Sequence, residues 1–174
     1  MIAIGCDHAG LELKNEVIKY LEEIGVSYED VGTYTKDSCD YPVFAEKVAR
    51  AVQSGKAEKG ILVCGTGLGM SYAANKVRGI RAACLSDSAS ARLARQHNDA
   101  NVLCFGQNIV GKAVALDLVK IFLETEFEGG RHSRRVALID EIKAYIKKRR
   151  DKSAFTTASC QSGSQRYPVA CNPL

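Results

Sequence analysis

Gly60-Ile-Leu-Val-Cys-Gly-Thr-Gly-Leu-Gly-Met70 is the stretch whose reading decides the fold. Ile61, Leu62 and Val63 form a short apolar run rich in β-branched side chains, the pattern of a buried strand. Cys64 stands where that strand ends. Gly65, Gly67 and Gly69 then alternate with Thr66 and Leu68, and a helix-compatible segment follows from Ser71 to Val77. A glycine-rich turn between strand and helix presents unpaired N–H groups to an anion or a developing oxyanion, with no side chain to hold the ligand off. A thiol at the mouth of such a turn is a candidate nucleophile or base. The plainer alternative is a tight turn holding a buried, inert cysteine.

The same alternation of strand and helix extends in both directions. Met1 to Cys6 reads as a strand ending in Asp7-His8-Ala9-Gly10, and a helix with Leu13, Val17, Tyr20, Leu21 and Ile24 on one face follows it. Val26 to Val31 is a second strand. After a polar loop, Pro42 sits in the first turn of a helix carrying Phe44, Val48, Ala51 and Val52. Beyond the glycine turn come strands at Ile80 to Leu85 and Asn101 to Phe105, with a helix between them capped by Ser86 or Asp87. A helix with Val114, Leu118, Ile121 and Phe122 follows, and a last one from Ser133 to Arg150 presents Val136, Ile139, Ile142 and Ile146. Five apolar strands joined by helices, without hairpin signals, predict an α/β fold: a five-stranded parallel sheet covered by helices on both faces. Ligands in such folds lie beyond the carboxyl ends of the strands, which gathers Asp7-His8, Cys64 to Gly69 and Ser86-Asp87 on one edge. Residues 151–174 lack apolar periodicity and read as a tail outside the 1–150 domain, expected to lie on a neighbouring subunit or on the sheet's flank.

Composition narrows the function classes. No apolar run in the 174 residues approaches the length needed to span a bilayer, and Met1-Ile-Ala-Ile-Gly-Cys6 lacks the basic start of a signal peptide, so a cytoplasmic location is expected. The seven cysteines are odd in number and contain no Cys-x-x-Cys pair, which argues against a disulfide framework or a zinc site. A net charge of +4, the absence of tryptophan and the lack of interleaved basic and aromatic residues argue against nucleic acid. No lysine follows the glycine turn as a Walker loop requires, and Met70 occupies the third glycine position of a dinucleotide fingerprint. What remains is the Cys64 thiol, the Thr66 hydroxyl, His8 and His97, and the pair Arg131 and Arg135. Arginines four apart share a helix face and can grip one phosphate.

These residues carry a family resemblance. Gly5-Cys6-Asp7-His8-Ala9-Gly10, Asp40-Tyr41-Pro42, Cys64-Gly65-Thr66-Gly67-Leu68-Gly69, Ala74-Asn75-Lys76, Arg92 to Asn101 and Gly129-Gly130-Arg131-His132 resemble the B-type ribose-5-phosphate isomerases, a family that includes the galactose-6-phosphate isomerase subunits. The resemblance implies a Rossmann-like domain, a homodimer with active sites at the subunit interface (pairing into a tetramer left open), and neither cofactor nor metal. It implies that a phosphorylated aldose and ketose are interconverted through a cis-enediolate. Cys64 is then the base, Thr66 and the N–H groups of Gly65, Gly67 and Gly69 hold the enediolate oxygen, and His97 opens the sugar ring. His8, Arg131 and Arg135 bind phosphate with His132 near, Asp7 and Asn98 orient hydroxyls, and Tyr41 lines the site. Two departures from the family pattern stand out. Met70 occupies the position where some members use a glutamate base, and Asn108 the position where many have an arginine; the second leaves a hexose 6-phosphate as an alternative substrate. A non-catalytic sugar-phosphate-binding module is the alternative of a different class.

Overall fold

Five strands pair side by side in the order β2-β1-β3-β5-β4, and every ladder is parallel. They are β1 (Ile2–Cys6), β2 (Tyr28–Asp30), β3 (Lys59–Cys64), β4 (Ala82–Cys84) and β5 (Val102–Gly106). The helices between them are α1 (Leu11–Glu23), α2 (Tyr41–Gln53), α3 (Leu68–Ala74), α4 (Ser88–Asn98) and α5 (Lys112–Glu124), with a 3-10 turn at His8–Gly10. This computed structural model describes residues 1–142, in which a further helix, α6, starts at residue 131 and runs to 142. Met1–Ala137 form one compact unit, and a second begins at Leu138.

Strand residues alternate between two cores, as the pleat requires. Ile2, Ile4, Cys6, Ile61, Val63, Leu103 and Phe105 pack on one face with α1 and α5. Ala3, Leu62, Cys64, Val102 and Cys104 pack on the other with Ala45 and Val48 of α2 and Met70 and Ala74 of α3. The three central strands are therefore buried on both sides, which is why they read as unbroken apolar runs. The expected parallel sheet with both faces covered is what the chain forms.

Element ends differ from expectation where packing is one-sided. The edge strands β2 and β4 have three residues each instead of six, because each has a ladder partner on one side only. The helix after the glycine turn starts at Leu68 rather than Ser71 and ends at Ala74 rather than Val77. Its exit is fixed by Asn75, whose side chain accepts from Ala82 N–H and donates to Ala82 O, drawing the chain into β4. Asp87, not Ser86, caps α4, its carboxylate accepting from Ser90 N–H at 2.8 Å. The final helix begins at 131, two residues before Ser133. Ile146 and the 151–174 tail lie outside the described residues.

One buried ion pair pins α1 to the strand after it. Lys14 is fully buried, and its Nζ donates to Asp30 Oδ2 at 2.5 Å and to Thr33 O at 3.0 Å. Removing one partner strands a charge without water, an expense of about 3 kcal/mol or more. Asp30→Ala should therefore lower the unfolding free energy by about 3 kcal/mol in urea titration. Glu12→Ala, which breaks the exposed Lys36 pair, should leave the midpoint where it is.

Candidate active site

The strand order reverses between β1 and β3: the chain leaves β1 for β2 on one side and returns to β3 on the other. The crevice beyond their carboxyl ends is the place an open α/β sheet offers to a ligand. Cys64 ends β3 there, and its Sγ accepts the Gly67 N–H at 3.0 Å. That geometry needs a left-handed residue at 67, where φ is +80°. A Cβ at this position would also lie 2.8 Å from Cys84 Sγ and from the Phe105 backbone. The loop rests directly on the end of β5, where a Cβ on Gly106 would come within 2.4 Å of the Thr66 backbone. Gln107 N–H donates to Cys64 O at 2.8 Å and Asn108 N–H to Gly65 O at 3.0 Å, fixing the loop from below. Thr66 is exposed, with its Oγ1 accepting from Leu68 N–H at 3.4 Å.

The turn after β1 faces the same crevice. Asp7 is buried, and its Oδ1 accepts from Ala9 and Gly10 N–H groups at 3.0 and 3.1 Å. His8 Nδ1 accepts the Cys39 N–H at 3.2 Å, which leaves the proton of a neutral ring on Nε2. The ring of Tyr41 lies over Gly69, within 2.8 Å of where a Cβ would stand. Three of the other thiols are out of play. Burial pushes Cys6 up to about 12 and raises Cys84 and, further, Cys104. All five described cysteines are free.

The remaining predicted residues gather elsewhere. α4 starts beyond β4 and runs back about 16 Å over its 11 residues. His97 and Asn98 therefore emerge at the opposite, amino-terminal edge of the sheet from Cys64. Arg95 locks this end, donating to Asp99 Oδ1 at 2.8 Å, Ala100 O at 2.6 Å and Thr125 O at 3.2 Å. Glu128 N–H donates to Gln96 O at 3.0 Å, bringing the 125–130 segment alongside. The His97 and His132 rings stack with centroids 4.3 Å apart and planes 3° from parallel. Arg131 Nε donates to His132 Nε2 at 3.3 Å. Burial, then the neighbouring His97 and Arg131, lower the affinity of His132 for a proton. Arg135 is exposed one helical turn beyond Arg131.

The candidate residues of one chain thus fall into two groups. Cys64, Thr66, Asp7, His8 and Tyr41 converge at the carboxyl edge; His97, Asn98, Arg131, His132 and Arg135 converge at the other. Sequence reading missed Gln107, Cys39 and Glu128, which touch these groups through chain segments that only the fold brings near. None carries a spacing signal.

Comparison with known proteins agrees with this architecture. Residues 2–139 match the family model described as Ribose/Galactose Isomerase. Ribose-5-phosphate isomerase B of Escherichia coli K12 is 50% identical over 141 residues, covering 81% of this chain and 95% of that protein. The structure of Clostridium thermocellum ribose-5-phosphate isomerase B superposes with a TM-score of 0.82 at 51% identity, covering 83% and 98%. That of the Mycoplasma genitalium enzyme with bound ribulose-5-phosphate gives 0.78 at 41% identity, covering 82% and 95%. With the family model spanning nearly all of the described residues and the sheet order, glycine turn and thiol in place, the chain belongs to the ribose/galactose isomerase family.

Proposed function

We propose that this protein interconverts ribose 5-phosphate and ribulose 5-phosphate through a cis-enediolate, with Cys64 as the carbon base. The observation that carries the reading is the Cys64 sulfur held at the switch-point crevice by the Gly67 amide at 3.0 Å. A thiolate there takes the proton from C2 of the open-chain aldose and returns it to C1; the carbonyl oxygen O1 becomes the enediolate oxygen, and the hydroxyl proton passes from O2 to O1 as C2 becomes the ketone carbonyl. Amides of the Gly65–Gly69 turn, with Thr66 Oγ1, meet that charge as it develops. The relative solved with bound ribulose-5-phosphate supports the choice of sugar.

The two half-sites meet across a pair of chains. In this reading a second copy places its His97, Asn98, Arg131, His132 and Arg135 over the crevice of the first. His8 of one chain and Arg131 and Arg135 of the other then grip the phosphate, and His97 opens the furanose ring. Asn98 orients hydroxyls, with Asp7 doing so through its second carboxylate oxygen. An apolar patch beside the crevice supports this pairing: Tyr41, Val43, Leu68 and Tyr72 are 41 to 64% exposed on the packed helices α2 and α3. Asn108, packed against Gly65, keeps a hexose 6-phosphate as a second reading.

A coupled assay of the purified chain over ribose, allose and galactose phosphates tests the substrate. Turnover should be highest with ribose 5-phosphate; turnover of the hexose phosphates alone would reverse the assignment. Cys64→Ala should cut kcat about 10³-fold with sugar-phosphate binding retained, and near-normal turnover would remove Cys64 from the chemistry. Arg135→Ala should raise KM roughly tenfold or more at nearly constant kcat, the loss expected for a charged contact to phosphate; an unchanged KM contradicts that role.

A further inference from the structure

Glu128 is unassigned by the reaction just described, yet its carboxylate is equally distant from both stacked imidazoles of the second half-site. Its Oε2 lies 3.8 Å from His97 Nε2 and 3.8 Å from His132 Nε2. The two rings do not compete equally for it. Arg131 Nε–H donates into His132 Nε2, so that nitrogen presents a lone pair and has no proton to offer the carboxylate. His132 is also buried, while His97 is the more exposed of the stacked pair. Glu128 is therefore left to His97.

We propose that Glu128 is the positioning residue for His97 in ring opening, an inference that rests on the isomerase reading above. Its carboxylate takes the Nε2–H of His97, which fixes the tautomer and leaves Nδ1 as a free lone pair toward the sugar. His97 Nδ1 removes the proton of the C1 hydroxyl, the C1–O4 bond breaks to give the aldehyde, and the same proton is delivered to O4. His97 ends the step as it began. Between the two transfers it is an imidazolium, and a carboxylate behind it steadies that charge. The 3.8 Å separation is longer than a hydrogen bond, and closing it takes a side-chain adjustment of under 1 Å, the tightening that catalytic contacts undergo when substrate docks. Burial, then the adjacent His97 and Arg131, lower the affinity of the stacked partner His132 for a proton, which disfavours a second charge beside the His97 imidazolium. A metal ion is a poorer occupant of the same three groups, although their ligand atoms fall within 4.8 Å of one another. The Arg131 guanidinium already fills the His132 nitrogen such an ion would take.

The test separates ring opening from carbon chemistry. Ribulose 5-phosphate has no stable ring form because its C5 oxygen is esterified. Exchange of its C1 hydrogen with solvent deuterium therefore needs the thiol and the amide turn but not His97. Glu128→Gln, on a half-exposed side chain, should fold as the wild type by thermal melting. It should lower net kcat on ribose 5-phosphate about tenfold or more with KM within twofold, while deuterium wash-in to ribulose 5-phosphate stays within twofold of wild type. His97→Asn should give the same split. Unchanged turnover in Glu128→Gln, or turnover and wash-in falling together, would overturn the proposal. A wild-type protein showing neither turnover nor wash-in would instead overturn the isomerase reading, and this inference with it.

Discussion

The Gly67 N–H donated to the Cys64 sulfur at 3.0 Å depends on a backbone turn with no room for a side chain at Gly67. At φ +80° the residue at 67 disfavours a Cβ, and the Cys84 sulfur and the Phe105 backbone already occupy the space one would need. Gly106 lets the strand beneath come into contact with Thr66, and Gln107 and Asn108 then tie the loop down through backbone bonds. The sulfur sits at the edge of a buried core, on the same face as Leu62 and Met70. Rigid apolar packing below and polar backbone above hold one atom at a fixed place. That is the kind of preorganisation proton transfer at carbon requires.

The sheet order sets where the candidate residues lie. Reversal between β1 and β3 opens a crevice lined by residues that follow strands. His97 and Asn98, in the last turn of α4, are carried to the opposite edge because α4 runs antiparallel to the strands it covers, and His132 at the start of α6 stacks on His97 there. Arg95, bonded to Asp99, Ala100 and Thr125, makes that second edge as well fixed as the first. Two rigid half-sites on one small domain favour a reading in which copies of the chain complete one another. The exposed Tyr41, Val43, Leu68 and Tyr72 beside the crevice provide apolar surface for such a contact.

Much of this was legible in the sequence. Period and composition located all five strands, since the central ones are buried on both faces and leave continuous apolar runs. The glycine alternation from Gly65 to Gly69 marked the turn and Cys64 its thiol. Strand order was not legible: that β5 lies between β3 and β4, and so supports the loop through Gly106, follows from packing that no local pattern encodes. Edge-strand lengths were overestimated because Val26 and Leu85 read as strand residues whatever their ladder partners. His8 and His97 were both visible as candidates, but their separation to opposite edges follows only from the course of α4. Glu128 gave no signal, being one acidic residue in a loop whose contact with His97 is made by chain return.

Mixing two impaired variants tests the composite site most directly. Cys64→Ala and His97→Asn chains, co-expressed and purified together, should regain about a quarter of wild-type turnover, because at random pairing half the dimers carry one site with both native residues. Turnover no greater than the sum of the two variants alone would contradict the account, and would place the ring-opening group within the same chain as the thiol.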